Sequence, residues 1–343
     1  MNISYDRPLH FFAVFTAVSV FLLIVAGGLV TSTGSGLAVP DWPLSYGQLM
    51  PPMVGGIFYE HGHRMVATFV GILTVVLAVW LWRSEQRQWV RNLGFVAVGV
   101  VVTQGLLGGL TVLFLLPTPI SVSHATLAQT YFCIVASIAL FTSRGWQTSK
   151  PLLKGMDENS PLIRLLVVTT AGVFVQLVLG AVMRHTQSGL AVPDFPLAYG
   201  QLVPSLSPES LDVYNRQLIY SDIRLAADGG ITSSQIVIHM LHRYWAVIVS
   251  LMIVMSSIRL WRMSSVIKRF SHLAMSMVAL LSVQVSLGIW TVLSRKEFDI
   301  TTAHVSTGAL LLAVCVLTTL YVYRLSGMQV HFPAILSGRE VAA

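Results

Sequence analysis

Apolar residues run along this chain in long blocks separated by short polar stretches. Phe11–Val30 and Phe95–Leu116 are each long enough to cross a hydrocarbon core, which takes about 20 apolar residues. The pattern predicts eight helical spans at roughly 11–31, 62–82, 92–116, 120–142, 162–183, 240–261, 270–294 and 300–324. A transmembrane barrel would instead show short alternating strands divided by turns. The first span follows MNISYDRPLH and has no small-residue cleavage site after it, so it reads as a retained span and not as a signal peptide.

Composition agrees with the pattern. The chain is 55% hydrophobic and 10% charged, its mean hydropathy is +0.74, and a water-soluble domain carries about 25% charged residues. Lys and Arg are placed unevenly. Arg83, Arg87 and Arg91 follow span two. Arg144, Lys150, Lys154 and Arg164 lie between spans four and five, and Arg259, Arg262, Lys268 and Arg269 lie between six and seven. Thr31–His63 contains neither residue, and the same side keeps only the scattered Arg184, Arg216, Arg224, Arg295 and Lys296. The bias predicts cytoplasmic termini and outward-facing loops after spans one and five. It also accounts for most of the net charge of +7, which is therefore no argument for nucleic acid. Cys133 and Cys315 fall inside spans and read as small core residues.

Those two outward loops repeat one another. Gly36–Leu49 reads GLAVPDWPLSYGQL and Gly189–Leu202 reads GLAVPDFPLAYGQL, differing only at Trp42/Phe195 and Ser45/Ala198. Gly27 and Gly180 stand at the same offset of 153 residues. Beyond the loops the offset grows to 179 for His63-Arg64 and His242-Arg243, and to 180 for Gln104 and Gln284 and for His124 and His304. The chain is thus a tandem duplication, with halves at 1–150 and 151–343. The second half carries an insertion of about 26 residues, within roughly 203–238. Ser207-Pro208-Glu209 is a helix start, and Gly229-Gly230 would end that helix. Each half has four spans, so both have one orientation. The expected architecture is all-α: two tandem four-helix bundles related by a pseudo-two-fold axis along the membrane normal. Gly105, Gly108, Gly109 and Gly288 would let helices approach closely.

His63, His124, His242 and His304 recur at repeat-equivalent positions, each at the outward end of an even-numbered span. Intramembrane polar residues face the bundle interior and find partners, and imidazole ligates iron well. Two imidazoles from facing helices can hold a heme from both sides. Structural zinc prefers closer spacing and Cys ligands. His61/His63 does have a two-residue spacing, but the two rings point to different helix faces and no Cys is near. Arg64 and Arg243 follow the first ligand of each half. Two readings stay open for them: snorkelling to the interface, or pairing with a heme propionate. Glu60 precedes His63 by three residues, where the second half has His239 before His242. On a helix Glu60 shares a face with His63. It can serve as acid, base or proton relay, or as a helix N-terminal carboxylate favoured by the dipole. His185 and His272 have no repeat partner and read as surface or interface residues. Asp41 and Asp194 read as turn residues.

The GLAVPDWP-type loop, the Glu-x-x-His-Arg start of span two, the lone His opening span four, and their second-half counterparts His242-Arg243 and His304 resemble the heme A synthase family. The likeness covers about 11–325. It implies a bacterial inner-membrane oxidoreductase that oxidises the C8 methyl of heme O to the formyl of heme A for cytochrome oxidase, by two hydroxylations and loss of water. It further implies a heme b cofactor held by His242 and His304. The heme O substrate would be held by His63 and His124, and Glu60 would be the carboxylate beside the reacting heme. Partners implied are heme O, an electron donor feeding heme b, the lipid bilayer and, as candidates, heme O synthase and a second copy of the chain as homo-oligomer. Some members carry a cysteine pair in the first outer loop, and Thr31–Glu60 here has none. The alternatives are a di-heme b-type electron-transfer protein, for which the single carboxylate Glu60 has little use, and a heme carrier, whose site would lie nearer mid-membrane.

Overall fold

The computed structural model describes residues 5–153, 155–157, 159–221, 223 and 230–327. Lys154, Arg224 and Gly229, used above for orientation and for the end of the insertion helix, lie outside the described residues. The fold is all-helical. Eight helices are long and apolar enough to cross a membrane: α1 (Arg7–Ser32), α2 (Gly56–Ser84), α3 (Gln88–Leu113), α4 (Thr118–Thr142), α6 (Pro161–His185), α8 (Ser233–Arg262), α9 (Arg269–Leu293) and α10 (Phe298–Leu325). A short α5 (Arg144–Thr148) follows α4, and α7 (Pro208–Tyr220) lies in the insertion.

Helix starts follow local chemistry. Asp6 caps α1 by accepting from Leu9 N at 3.0 Å, with Arg7-Pro8 opening the first turn. Thr232 and Gln235 form a capping box at α8. Two starts need correction, and the capping box accounts for that of α8, whereas α2 has no side-chain cap. α2 begins at Gly56 and α8 at Ser233, six and seven residues ahead of the hydropathy boundaries. Their first turns carry Glu60, His61, His63 and Arg64, or Gln235, His239, His242 and Arg243, so an apolar window misses them. His63 and His242 therefore stand about two turns or more inside their helices, and not at the ends. α3 stops at Leu113, short of residue 116, because Leu115 and Leu116 turn left-handed, at φ 58° and 60°. The insertion helix starts as expected, with Ser207 accepting from Ser210 N at 3.2 Å, but it ends at Tyr220, ahead of Gly229-Gly230.

Neighbouring helices close in a ring twice over. α1 packs on α2 and α4, with α3 between α2 and α4; α6 packs on α8 and α10, with α9 between α8 and α10. The two rings meet where α1 contacts α10, α4 contacts α6, and α4 contacts α10. One core cluster gathers Leu77, Tyr131, Ile138 and Phe141 with Ala309 of α10; another gathers Leu166, Ile253, Leu260, Met277 and Cys315. Cys133 packs against the second cluster, and both cysteines are free. Outward residues such as Phe11, Phe15, Val18 and Leu22 on α1 stay exposed, as a helix facing lipid requires. Tyr131 hydroxyl is bonded to Thr74 in the first ring, and Thr169 to Ser256 at 2.9 Å in the second.

The α2–α3 turn is pinned by Arg87. Its guanidinium donates to both Glu85 oxygens at 2.9 and 2.7 Å and to Phe141 O at 2.9 Å. Burial alone would raise the Glu85 carboxyl, but the hydrogen bonds and charge of Arg87 outweigh it and hold the group below its ordinary 4.5. Glu85→Gln should lower stability in detergent by about 1–3 kcal/mol, read by thermal denaturation. A depressed carboxyl contributes above its unfolded pKa and loses that contribution as pH falls through the folded one. The wild type should therefore lose this increment below about pH 4.5, and the variant should not.

Candidate heme site

The two repeated loops are built alike, down to atoms. Asp41 accepts from Tyr46 N at 2.6 Å and Gly47 N at 2.8 Å; Asp194 accepts from Tyr199 N at 2.9 Å and Gly200 N at 3.2 Å. The Gly47 and Tyr46 amides hold the Asp41 carboxyl below its ordinary value. Tyr46 hydroxyl donates to Ala38 O at 2.6 Å and Tyr199 hydroxyl to Ala191 O at 2.7 Å. Ser45 pairs with Gln48 and Ala198 with Gln201 across one-bridge turns. The two aspartates are turn residues, as their sequence context suggests.

Each arginine reaches from its helix into its loop. Arg64 donates to Asp41 O at 2.8 Å, Leu44 O at 2.9 Å and Val39 O at 3.3 Å. Arg243 donates to Asp194 O at 2.7 Å, Leu197 O at 3.1 Å and Val192 O at 3.0 Å, the same three carbonyls of the repeat. Neither arginine simply snorkels. A guanidinium fork satisfies loop carbonyls that would otherwise lack donors at the membrane edge.

Glu60 and His239 do equivalent work by different chemistry. Glu60 is buried, accepting from Val39 N at 2.8 Å and pairing with Arg64 at 2.7 Å. His239, also buried, contacts Ser188 O through Nδ1 at 2.9 Å and accepts from Arg243 Nε at 2.9 Å. The carboxylate thus serves the loop and Arg64 as well as sharing the helix with His63.

The two differences between the loop copies each have a matched difference elsewhere. Ser45 bonds His61 Nδ1 at 2.8 Å; in the second half the same two positions are Ala198 and Met240, an apolar pair in one cluster. Trp42 lies flat on Gly109, where a Cβ would come within 2.6 Å of the indole. The repeat position of Gly109 is Ile289, and that of Trp42 is the smaller Phe195. The insertion adds a third difference. Tyr214 of α7 stacks on Tyr199 with centroids 3.7 Å apart, and Leu218, Ile223 and Ile231 complete the cluster over loop two. Loop one has no such cover, and Tyr46 is 52% exposed.

The four histidines sit in four glycine seats. A Cβ on Gly27 would lie 3.1 Å from His63 Cε1, on Gly108 3.2 Å from His124, on Gly180 3.1 Å from His242 and on Gly288 2.9 Å from His304. Gly27 and Gly180 are repeat equivalents, as are Gly108 and Gly288. Each imidazole of an even-numbered span therefore rests on the bare backbone of the preceding odd-numbered span, and all four residues remain half-buried. His63 and His124 come within electrostatic range of one another, as do His242 and His304. Among the described residues no three His, Cys, Asp or Glu side chains gather as a metal site. Paired imidazoles of this kind suit an ion that brings further ligands of its own, as heme iron does. In the first half, Gln104 Nε2 donates to His124 O at 2.9 Å and lies 3.5 Å from its Nε2, while His63 Nδ1 is buried with no partner among the described residues. In the second, His304 Nδ1 lies 3.2 Å from Gln284 O, and Gln176 Nε2 lies 3.2 and 3.1 Å from the two ring nitrogens of His242. The repeat position of Gln176 is Leu23. The residues present fit a bis-imidazole heme in each half, with Gln176 as an added polar contact in the second.

Sequence reasoning found the histidines, the arginines and Glu60. It missed the loop-latching role of both arginines and of His239, the polar partner Gln176, and the glycine seats. The seats had a readable signal, since the glycines recur at the offsets of the histidines they face. His185 does lie between the halves, where its carbonyl accepts from Thr118 Oγ1 at 3.2 Å, and His272 is exposed.

Comparison with known proteins agrees with this arrangement. Similar curated proteins include the heme A synthase of Halalkalibacterium halodurans, 32% identical over 210 residues, covering 59% of this chain and 67% of that protein. The heme A synthase of Shouchella clausii is 34% identical over 205 residues, covering 58% and 67%, and that of Alkalihalophilus pseudofirmus is 29% identical over 206, covering 58% and 67%. A family profile described as cytochrome oxidase assembly protein matches residues 10–56 and 54–316, taking in both loops and all four seated histidines. By that span the chain belongs to the cytochrome oxidase assembly protein family.

Proposed function

We propose that the chain is a heme A synthase: a multi-pass bacterial membrane oxidoreductase that converts heme O to heme A for cytochrome oxidase, with heme O as its substrate. The observation that carries this reading is the repeated glycine seat, which sets two pairs of imidazoles for two hemes in one chain. Family membership and relatives of one name support it. In the finer reading, His242 and His304 hold a resident heme b and His63 and His124 hold heme O. Two features favour this direction: Gln176 against Leu23, and the α7 cover over loop two. Each keeps the second site fixed, whereas a substrate must come and go.

Glu60 is the carboxylate assigned to the reacting side, since only the first half has one at that position. It holds loop one through Val39 N and Arg64 and stands three residues from His63 on the same helix. Such a group can take or give a proton at its carboxyl when the substrate methyl is oxidised. The resident heme would supply electron transfer between an outside donor and the substrate site. For Arg64 and Arg243 to contact propionates, each would exchange a loop carbonyl for the carboxylate. Cytoplasmic termini, halves at 1–150 and 151–343, and a pseudo-two-fold relation between them belong to the same reading. The Glu60/His239 asymmetry disfavours a pure di-heme relay.

Coexpression with a heme O synthase in a host lacking heme A, followed by heme extraction and chromatography, should yield heme A. Folded, heme-loaded protein yielding only heme B and heme O would overturn the proposal. Glu60→His, which copies the second half, should keep loop one seated and heme bound while formyl production is lost. Undiminished heme A yield from that variant would remove the carboxylate from the chemistry. His242→Ala should deplete heme b in the purified protein, and normal heme b content would show that the halves are assigned the wrong way round.

A further inference from the structure

The outer turns after α3 and α9 share one unusual backbone. Leu115 and Leu116 have φ 58° and 60°, and Arg295 and Lys296 have φ 58° and 65°. Two consecutive left-handed residues with bulky side chains are disfavoured, yet both halves keep them. Each turn is closed by a backbone bond five residues back, Leu116 N to Thr111 O at 2.7 Å and Lys296 N to Thr291 O at 2.8 Å. The turn lays its second side chain on the first glycine of the repeated loop. Leu116 lies 3.4 Å from where a Cβ on Gly36 would stand, and Lys296 lies 3.2 Å from the same point on Gly189. One contact has thus been kept while its chemistry changed from a hydrocarbon to an ammonium on an alkyl stem.

A second neutral-to-cationic change faces it. Thr31 at the end of α1 turns its hydroxyl back to Gly27 O at 3.1 Å. Its repeat counterpart Arg184 instead reaches to Gly28 O at 3.0 Å and Ser32 Oγ at 2.7 Å, both through Nη2. Ser32, which Arg184 holds, also accepts from Thr302 Oγ1 at 3.0 Å, two residues before His304 on α10, and Lys296 lies within electrostatic range of Arg184. The ion pairs among the described residues are Arg64–Glu60 and Arg87–Glu85, so neither of these cations has an acidic partner there. Two like charges held together beside a half-buried site repel one another, and an anion with two oxygens would relieve this.

We propose that Arg184 and Lys296 form a carboxylate-binding site at the outer mouth of the second half, which takes a propionate of the heme held by His242 and His304 and keeps that heme resident. Thr31 and Leu116 leave the matching place in the first half neutral, so its heme can leave. The inference rests on the heme-binding reading above and adds to it the means by which one chain retains one heme and releases another.

The test uses the full chain in nanodiscs loaded with heme b, with transfer to excess apomyoglobin followed by absorbance. Lys296→Leu, which installs the residue the first half already tolerates, should speed heme loss about tenfold, the scale of one charge-assisted contact. Lys296→Arg should restore slow loss, and Arg184→Thr should act in the same direction as Lys296→Leu. Heme b dimethyl ester, whose propionates carry no charge, should leave wild type and Lys296→Leu at one common fast rate. Leu116→Lys should slow the release of heme O from the first half. Equal loss of heme b from wild type and Lys296→Leu would overturn the proposal. So would an equal acceleration by Lys296→Leu for the diester, which would make the lysine merely structural. Unchanged heme loss with weaker binding of phosphatidylglycerol by the variant would assign the cations to lipid headgroups and also overturn it. A wild type that takes up no heme at His242 and His304 would defeat the heme-binding reading itself, a result distinct from these.

Discussion

Four imidazoles lying against four glycine backbones are the constraint around which this molecule is arranged. A side chain at Gly27, Gly108, Gly180 or Gly288 would fall within about van der Waals contact of a ring or closer, so α1, α3, α6 and α9 present bare backbone where α2, α4, α8 and α10 present histidine. That requirement fixes the approach of α1 to α2, α3 to α4, α6 to α8 and α9 to α10. The rest of each ring packs around those contacts. In a bilayer, where the apolar effect between helices is weak, close approach over small residues is also what holds helices together. The same glycines therefore serve association and ligand placement at once.

Above the histidines, polarity is managed by one recurring device. An arginine one residue past the first histidine enters the outer loop and satisfies the same three carbonyls in each half. A second buried group, Glu60 or His239, braces that arginine against the loop. The brace must be polar, buried and able to accept from a guanidinium, and both carboxylate and imidazole meet this condition. The carboxylate has a second oxygen, which accepts from Val39 N at 2.8 Å, whereas the imidazole meets the loop through Ser188 O.

Much of this was legible in the chain. Apolar blocks mark the eight long helices, and the offset of the repeated loops leads to the four histidines that rest on glycine. Boundaries at Gly56 and Ser233 escaped because amphipathic first turns rich in His, Arg and Glu do not score as apolar, although Thr232 and Gln235 advertise a helix start. The end of α7 at Tyr220 was misplaced because a Gly-Gly pair is a stronger stop signal on paper than Ser221. Loop latching by Arg64 and Arg243 could not be read, since an arginine at a membrane edge has several partners of similar worth and only the folded loop decides among them. Gln176 was hidden inside an apolar run, where one amide looks like an interruption until the ring it meets is known.

The paired differences between the loop copies have a consequence for how the two halves can change. Trp42 needs the space that Gly109 leaves, and the second half has Phe195 and Ile289 at those two positions; Ser45 needs His61 as Ala198 accompanies Met240. Near-identical segments within one gene invite recombination that overwrites one copy with the other. Here such an exchange would set an indole against an isoleucine, or leave a buried imidazole without its hydroxyl, because the partner residues lie on helices outside the exchanged segment. The two loops have diverged little in sequence, yet each is now bound to its own half as an heirloom that the other cannot wear.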